Sequence, residues 1–131
     1  MNVGDKIATL VSLSLTPLRI DEILEIRKDI DQVDIKGKAI LFESGLYAKL
    51  PDDIPENLAL SVLDVAGAPA QTQKLVKEGQ TVLILGAAGK SGMLCLYEAK
   101  KMACPSGRVI CLDYSDKSLE NVKKLELADD Y

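Results

Sequence analysis

A short apolar segment runs directly into a glycine-rich loop in the second half of the chain. Residues 81–92 read TVLILGAAGKSG, with three glycines in the last seven positions, and an apolar-rich stretch with helical character follows. A strand that turns tightly into a helix brings backbone N–H groups and the positive end of the helix dipole to one point. The segment therefore predicts a strand at 81–85, a helix over about 90–103 and a phosphate-binding loop between them.

Length and composition restrict the class of protein. The chain has 131 residues, which is enough for one domain with a core or for parts of two. Hydrophobic residues make up 47% and aromatic residues 4%, so we expect a folded chain with an aliphatic core. The net charge is −4 and the charges are interspersed, so neither nucleic acid nor an anionic membrane surface is expected as a partner.

The expected cellular location follows from the lengths of the apolar segments and from the composition of the first ten residues. No apolar run approaches the ~20 residues that a membrane-spanning helix needs. The first ten residues, MNVGDKIATL, do not have the charged and apolar regions of a signal peptide. We therefore expect a cytoplasmic protein.

Cysteine and histidine usage removes several chemistries. Cys95, Cys104 and Cys111 are odd in number and have no CxxC spacing, so we interpret them as buried small hydrophobic residues rather than disulfide partners or zinc ligands. The chain has no histidine, which excludes a Ser-His-Asp or Cys-His nucleophile within these residues and removes the commonest zinc ligand. No metal site is predicted.

The first half of the chain is predicted to be mainly extended. Residues 7–15 alternate partly between apolar and polar types, which indicates a half-buried strand that Pro17 interrupts. Residues 20–26 fit a strand or a helix, and we assign a strand. Residues 32–42 are typical of a β-hairpin in which Gly37 marks a turn or a bulge.

Two helical stretches connect the halves. Residues 56–65 are apolar and predicted to be helical, with a break at Gly67 and Pro69. A second helix is predicted over roughly 70–76, ending at Gly79. We place the break between the two halves near residue 79.

The second half follows a β-α-β-α pattern. A second strand, 108–112, is apolar enough to be buried on both faces, as parallel strands are. Ser115 or Asp116 can cap a last helix. Its apolar residues recur on one face, at Leu119, Val122 and Leu125.

The glycine loop fits a dinucleotide site when the next strand is considered with it. Its spacing is GxxGxxG, and the position of a possible central glycine holds Ala88. Asp113 follows the second strand, 21 residues beyond Gly92. A carboxylate there can accept hydrogen bonds from the adenosine ribose and repel a 2′-phosphate, which favours NAD. The predicted cofactor-binding residues are Gly86, Ala88, Gly89, Lys90, Ser91, Gly92 and Asp113.

Other interpretations of the loop remain open. Gly89-Lys90-Ser91 could belong to a triphosphatase loop, but that motif needs a glycine at position 84, which is Ile84. The small residues could also serve helix packing without any ligand. Lys90 would then be solvated instead of lying beside a pyrophosphate, and Asp113 would only begin a turn. A non-catalytic nucleotide-binding module is the alternative of a different class.

Several segments resemble the medium-chain dehydrogenase/reductase superfamily. Residues 82–92 are similar to its nucleotide loop in the form seen in quinone reductases, 4–8 to its GDRVA strand, and 112–115 to its ribose-binding corner, which adds Tyr114 to the cofactor-binding residues. Residues 47–52 resemble the run into the linking helix, and 128–131 resemble the GADY sequence before the third strand. The resemblance implies an α/β fold with NAD as cofactor: a partial Rossmann-type βαβα unit preceded by part of a GroES-like β-rich catalytic domain.

The resemblance also divides the chain into regions. It implies a partial catalytic domain over 1–55, linking helices over 56–79 and the first half of an NAD-binding domain over 80–131. Members of the superfamily are longer at both ends, so the chain is expected to be part of a larger enzyme. By itself it should bind NAD weakly and turn over slowly or not at all. Its two parallel strands would leave an open edge, and a homo-oligomer is expected.

A closer resemblance concerns the substrate. Residues 63–70, LDVAGAPA, together with 86–101, GAAGKSGMLCLYEAKK, are similar to dehydrogenases of bacterial lysine fermentation. The resemblance implies NAD-dependent oxidation of the 3-amino carbon of a small diamino acid, 3,5-diaminohexanoate, with release of ammonia to give 5-amino-3-oxohexanoate. A quinone oxidoreductase or an alcohol dehydrogenase-like member of the superfamily is the alternative.

Asp64 is the candidate catalytic residue. It stands at approximately the place where zinc-dependent relatives carry a metal-ligating side chain. Asp64 or Glu43 could bind the substrate ammonium or act as a base on the amine proton. The alternative is that Asp64 caps a helix or packs locally.

Overall fold

A computed structural model describes residues 1–9 and 16–131. The chain divides into two compact units, residues 1–62 and 63–131. The apolar–polar alternation at residues 11–15 lies outside the described residues. Within the described ranges, no helix combines the length and the apolar character needed to cross a membrane.

The first unit contains two separate pairs of antiparallel strands. β1 (Ile7–Thr9) pairs with β4 (Tyr47–Lys49). β2 (Leu18–Arg27) pairs with β3 (Gln32–Ala39). β2 begins directly after Pro17, which has no N–H to donate to a sheet. Because β2 includes residues 20–26, the strand assignment for them is confirmed.

The β-hairpin lies earlier in the chain than predicted. Residues 32–39 form one continuous strand, and the reversal falls between β2 and β3. Gly37 pairs with Ile20, next to a shift of register between Ile20 and Glu22, so the bulge interpretation holds and the turn interpretation is wrong. The two strands pair Ile23 with Ile35 and Arg27 with Gln32, which places the reversal of the chain at residues 28–31.

The helical region begins as predicted and then differs. α1 (Glu56–Val65) has the predicted bounds, whereas α2 (Gly67–Leu75) starts three residues before the predicted position 70. Pro69 does not separate the helices because it occupies the first turn of α2. Backbone N–H groups in a first turn have no partner within the helix, so proline is tolerated there.

The second unit has the predicted order of elements. They are β5 (Thr81–Leu85), α3 (Lys90–Ala103), β6 (Arg108–Leu112) and α4 (Asp116–Lys123). β5 and β6 pair in parallel and in register along their full length. The glycine loop therefore connects the end of one parallel strand with the start of a helix, as the sequence predicted.

The last helix is capped by Ser115. Its hydroxyl accepts the backbone N–H of Ser118 at 3.3 Å, which confirms the predicted start. On the apolar face Val122 is buried and Leu119 is half-buried. Leu125 follows the end of the helix and is 55% exposed, so its predicted place on that face is wrong.

The core of the second unit covers one face of the parallel sheet. β6 buries Val109 and Cys111, but Leu112 is 52% exposed, and Leu83 and Leu85 of β5 are exposed too. The prediction that the second strand is buried on both faces is therefore wrong. Helices α3 and α4 supply side chains to one face, whereas Leu83, Leu85 and Leu112 of the other face are exposed. The core residues are Val76, Ala87, Leu96, Ala99, Ala103, Val109, Cys111 and Val122.

All three cysteines are free thiols. Cys95 and Cys111 are buried, as predicted, and Cys104 is half-buried. Burial raises the pKa of the Cys111 thiol, and the charge of Asp113 adds to this effect. Over residues 1–9 and 16–131, the Cys, Asp and Glu side chains form no group of three that could hold a metal ion.

The final residues add the beginning of a third parallel pairing. Asp130 forms a parallel bridge with Ile110 of β6. The N–H of Cys111 donates to the Asp130 carbonyl, and the N–H of Asp129 donates to the Val109 carbonyl, both at 2.8 Å. Residues 128–131 thus lie along the outer edge of β6.

Asp129 ties this segment to the rest of the unit. Its Oδ2 accepts the Val109 N–H at 2.8 Å, and its Oδ1 pairs with the ammonium of Lys100. The Lys100 ammonium first, and the Val109 N–H second, hold the pKa of Asp129 below its ordinary value. Since the folded-state pKa lies below the unfolded one, the stabilisation is fully present above about pH 4 and is lost as the pH falls through the folded-state pKa.

We therefore expect acid to weaken the tie between Asp129 and β6. In NMR spectra the Val109 amide signal should shift with pH, with a midpoint below the ordinary aspartate pKa of about 3.9. In the Asp129→Ala variant this pH-dependent shift should disappear. A midpoint at or above the ordinary value in the wild-type chain would contradict the interpretation.

Candidate nucleotide-binding site

The loop after β5 is fastened to the end of β6. Gly86 adopts a φ of +66°, a left-handed conformation that suits glycine. The Ala87 N–H donates to the carbonyl of Leu112 at 3.2 Å, and the Gly89 N–H donates to the carbonyl of Gly86 at the same distance. The tight turn that the sequence predicted is therefore present and is held against the second strand.

The first turn of α3 presents unpaired backbone donors. Gly89 is the N-cap residue, is extended and provides no side-chain cap. The first helical hydrogen bond runs from the Met93 N–H to the Gly89 carbonyl at 2.9 Å. The N–H groups of Lys90, Ser91 and Gly92 donate to no described residue. Three donors at the positive end of a 14-residue helix form an arrangement suited to an anion such as a phosphate.

Gly92 lies where the helix and the loop approach most closely. A Cβ at this position would lie 2.6 Å from the Cα of Ala87 and would also meet the Gly86 carbonyl oxygen. Both are backbone atoms, so no movement of a side chain could relieve the clash. Only glycine allows α3 to start this close to the end of β5.

Asp113 connects the second strand with the glycine loop. Its Oδ2 accepts the Ala88 N–H at 3.0 Å, and its Oδ1 accepts the Ser115 N–H at 3.2 Å. The Ala88 N–H first, then that of Ser115, lower the pKa of Asp113 below its ordinary value, so the side chain is a carboxylate near neutral pH. Two residues that are far apart in sequence thus meet, as the dinucleotide interpretation requires.

The carboxylate keeps unused acceptor capacity. A carboxylate offers about four lone-pair positions, and the bonds from Ala88 and Ser115 occupy two. Asp113 begins a turn as well, because the Ser115 bond closes an Asx turn before α4. Tyr114, inside this turn, has a side chain that is 98% exposed. The turn therefore holds a carboxylate and an exposed aromatic ring next to the glycine loop.

Lys90 and Asp64 contact each other, which the sequence analysis did not predict. Lys90 Nζ lies 2.8 Å from Asp64 Oδ2, and the two side chains are 51% and 70% exposed. Asp64 is the second-last residue of α1, so the pair joins the end of that helix to the start of α3. The side chains are 26 residues apart and no local pattern indicates the pair. Glu43, the other candidate for binding the ammonium, lies in the first unit and is exposed.

Solved structures with a similar fold are oxidoreductases of the medium-chain dehydrogenase/reductase type, as the resemblance predicted. The crystal structure of AibC superposes with a TM-score of 0.57 at 28% identity over 72% of this chain and 28% of that chain. A probable oxidoreductase from Mycobacterium abscessus gives a TM-score of 0.55 at 24% identity, over 72% of this chain and 30% of that one, and supports the fold only.

The closer resemblance is to L-erythro-3,5-diaminohexanoate dehydrogenase, and it too is confirmed. Residues 1–51 match the family model of the N-terminal domain of that enzyme. The enzyme of Acetoanaerobium sticklandii is 68% identical over 99% of this chain and 38% of its own length. The enzyme of Fusobacterium nucleatum is 71% identical over 89% of this chain and 34% of its own length. The chain therefore spans just over a third of the length of these curated relatives.

Proposed function

We propose that this chain is the part of an NAD-dependent L-erythro-3,5-diaminohexanoate dehydrogenase that binds the cofactor. The single observation that carries the proposal is the Asp113 carboxylate held at Ala88, beside the unpaired N–H groups at the start of α3. Relatives at 68% and 71% identity that carry this enzyme's name support the choice of reaction. The full-length protein would remove the 3-amino group of the diamino acid by oxidation and release ammonia.

The residues of the loop fit the parts of a nicotinamide dinucleotide. The N–H groups of residues 90–92 would hold the pyrophosphate, and Gly92 lets the start of α3 pack closely against the backbone of Gly86 and Ala87. The two unused acceptor positions of Asp113 would receive the hydroxyls of the adenosine ribose. Tyr114 offers an exposed ring beside that position, where it can stack on the adenine. When bound, the cofactor supplies the acceptor for hydride.

The charge of Asp113 favours NAD over NADP. A phosphate on the ribose 2′-oxygen would bring two negative charges next to a carboxylate whose lowered pKa keeps it ionised. Among the side chains that bond to Asp113 or lie in its turn there is no arginine or lysine to offset this repulsion. We therefore assign NAD as the cofactor.

The proposal extends to the division of the chain. Residues 1–55 would be part of a GroES-like catalytic domain, 56–79 the linking helices, and 80–131 the first half of a Rossmann-type domain. The parallel pairing of β5 and β6 and the bridge at Asp130 support the last assignment. Asp64 would bind the substrate ammonium or take the amine proton, and a small diamino acid would be the substrate.

The full-length protein is also proposed to form a homo-oligomer. Within the described residues no strand pairs with the outer edge of β5. An unpaired edge of a sheet is usually covered by further strands or by association. A mass measurement of the full-length protein by light scattering would show a multiple of the chain mass, and a monomer would remove this part of the proposal.

Titration calorimetry with NAD, NADP and ATP tests the cofactor assignment. We expect NAD to bind this chain at least about ten times more tightly than NADP, since one repelled phosphate is worth on the order of 1.4 kcal/mol or more. ATP binding should not depend on magnesium. Binding of ATP that requires magnesium would favour the triphosphatase interpretation, against which the position of Ile84 inside β5 argues. In the full-length protein, failure of 3,5-diaminohexanoate to reduce NAD would remove the substrate assignment.

A further inference from the structure

Lys90 belongs to two parts of the proposed site, the phosphate-binding start of α3 and the contact with Asp64. Lys90 is the first residue of α3, so its backbone N–H belongs to the unpaired set that faces a bound phosphate. Its ammonium, on a flexible four-carbon stem, is at the same time 2.8 Å from the Asp64 carboxylate. The cofactor loop and the candidate for binding the substrate ammonium are therefore linked by a single side chain.

The ion pair between Lys90 and Asp64 is weak enough for Lys90 to exchange partners. Both partners are more than half exposed, and ion pairs between exposed side chains contribute little because water and salt screen them. A diphosphate on the N–H groups of residues 90–92 carries more negative charge than one carboxylate. It would also lie next to the backbone of Lys90 itself. The Lys90 ammonium would accordingly move from Asp64 towards the diphosphate.

We infer that Lys90 is a positioning residue that controls when Asp64 becomes available. Without a nucleotide, Lys90 neutralises Asp64. With a nucleoside diphosphate at the start of α3, Lys90 turns to the phosphates and leaves the Asp64 carboxylate to an ammonium group of the substrate. The inference rests on the proposed function and deepens it, since it predicts that cofactor binding prepares the amine site.

The exchange makes the two binding events cooperative. Binding energies at linked sites are reciprocal, so a nucleotide that frees Asp64 raises the affinity for an amine by the same factor by which the amine raises the affinity for the nucleotide. The expected factor is about two- to five-fold, the range measured for exposed ion pairs. Removing the Asp64 charge should produce a similar gain in nucleotide affinity, because Lys90 is then free from the start.

A double-mutant cycle on nucleotide affinity tests the inference. The dissociation constants of NAD and of ADP-ribose are measured by calorimetry at low salt for wild type, Asp64→Asn, Lys90→Gln and the double variant. Asp64→Asn should tighten both ligands about two- to five-fold, and Lys90→Gln should weaken both. In the Lys90→Gln background, the Asp64→Asn change should have no effect.

A matched control separates the local contact from overall charge. Glu120 pairs with Lys123 at 2.9 Å on α4, with exposures like those of the Asp64–Lys90 pair. Glu120→Gln also removes one negative charge, and it should leave nucleotide affinity unchanged. Equal tightening in Glu120→Gln and Asp64→Asn would overturn the inference, because a general charge effect would then explain the gain.

The possible failures are distinguishable. If the wild-type chain binds neither NAD nor ADP-ribose, the proposed function fails and the inference fails with it. If both bind but Asp64→Asn leaves affinity unchanged or lowers it, the inference is wrong and the nucleotide site stands. An effect of Asp64→Asn that persists in the Lys90→Gln background would also overturn it, because Lys90 would then not be the carrier.

Discussion

The Gly92→Ala variant is expected to lose about 3 kcal/mol of unfolding free energy, or more, because the added methyl group meets backbone and not a movable side chain. The new Cβ would lie 2.6 Å from the Cα of Ala87 and 2.8 Å from its carbonyl carbon. Relief requires α3 to move away from the end of β5, which opens the packing of Leu96 and Ala99 against the sheet. Urea denaturation followed by circular dichroism measures the loss.

Gly67→Ala is the matched control for this prediction. Gly67 is the first residue of α2, and Gly92 likewise lies in the first turn of α3. A Cβ at Gly67, however, has no atom within 4 Å. Alanine costs less backbone entropy on folding than glycine, so we expect this variant to be neutral or more stable by up to about 1 kcal/mol. Equal stability of the two variants would show that the close approach at Gly92 does not limit the fold.

The Asp113→Ala variant is expected to bind NAD at least about ten times more weakly than wild type. The change removes the acceptors for the ribose hydroxyls and, at the same time, the acceptors for the N–H groups of Ala88 and Ser115. NADP should lose less affinity than NAD, because the repulsion of its 2′-phosphate disappears with the charge. The ratio of the two dissociation constants, measured by calorimetry, should therefore approach one.

Asp113→Asn separates charge from hydrogen bonding. Asparagine keeps one acceptor oxygen that can bond to Ala88 or Ser115 but carries no charge. We expect a smaller loss of NAD affinity than in the alanine variant and the same fall in preference over NADP. The Glu120→Gln variant, which removes a carboxylate from the solvent-facing side of α4, should retain the wild-type preference. An unchanged preference in both Asp113 variants would contradict the ribose assignment.

The elements of the second unit were predictable because local signals agree with one another there. β5, α3 and β6 have the predicted bounds, since Gly86 ends β5, Gly107 precedes β6 and apolar periodicity defines the helix. Ser115 caps α4 through its own hydroxyl, a bond that closes within four residues. Each of these features depends on residues close in sequence, and a sequence pattern can represent such contacts.

The first half was less predictable because cross-strand pairing decides its structure. The residues of the predicted hairpin at 32–42 instead supply the second strand of a hairpin with β2. Ile26 lies opposite Val33 and Ile23 opposite Ile35, so the chain reverses between residues 27 and 32. Glycine suits both a turn and a position beside a bulge, so the residues around Gly37 could not indicate which of the two it occupies.

The candidate site shows the same division between local and distant contacts. The glycine loop and the acidic residue after the next strand were identifiable from spacing. We expected Asp113 to lie near the glycine loop but did not predict its hydrogen bond with Ala88. The pair of Lys90 with Asp64 was not predicted at all. Both contacts depend on the positions of separate elements, which no spacing rule encodes.

By itself the sequence determined the order of the βαβα elements, the place of the tight glycine loop, the absence of histidine chemistry and the resemblance to amine dehydrogenases. These follow from residue type and short-range periodicity, which act within one turn of helix or a few strand positions. The tertiary structure alone decided that one face of the parallel sheet is covered, that Asp130 pairs with Ile110 of β6, and that Lys90 Nζ lies 2.8 Å from Asp64 Oδ2. The physical reason is that burial and ion pairing depend on distances through space, which packing creates only after the elements have formed.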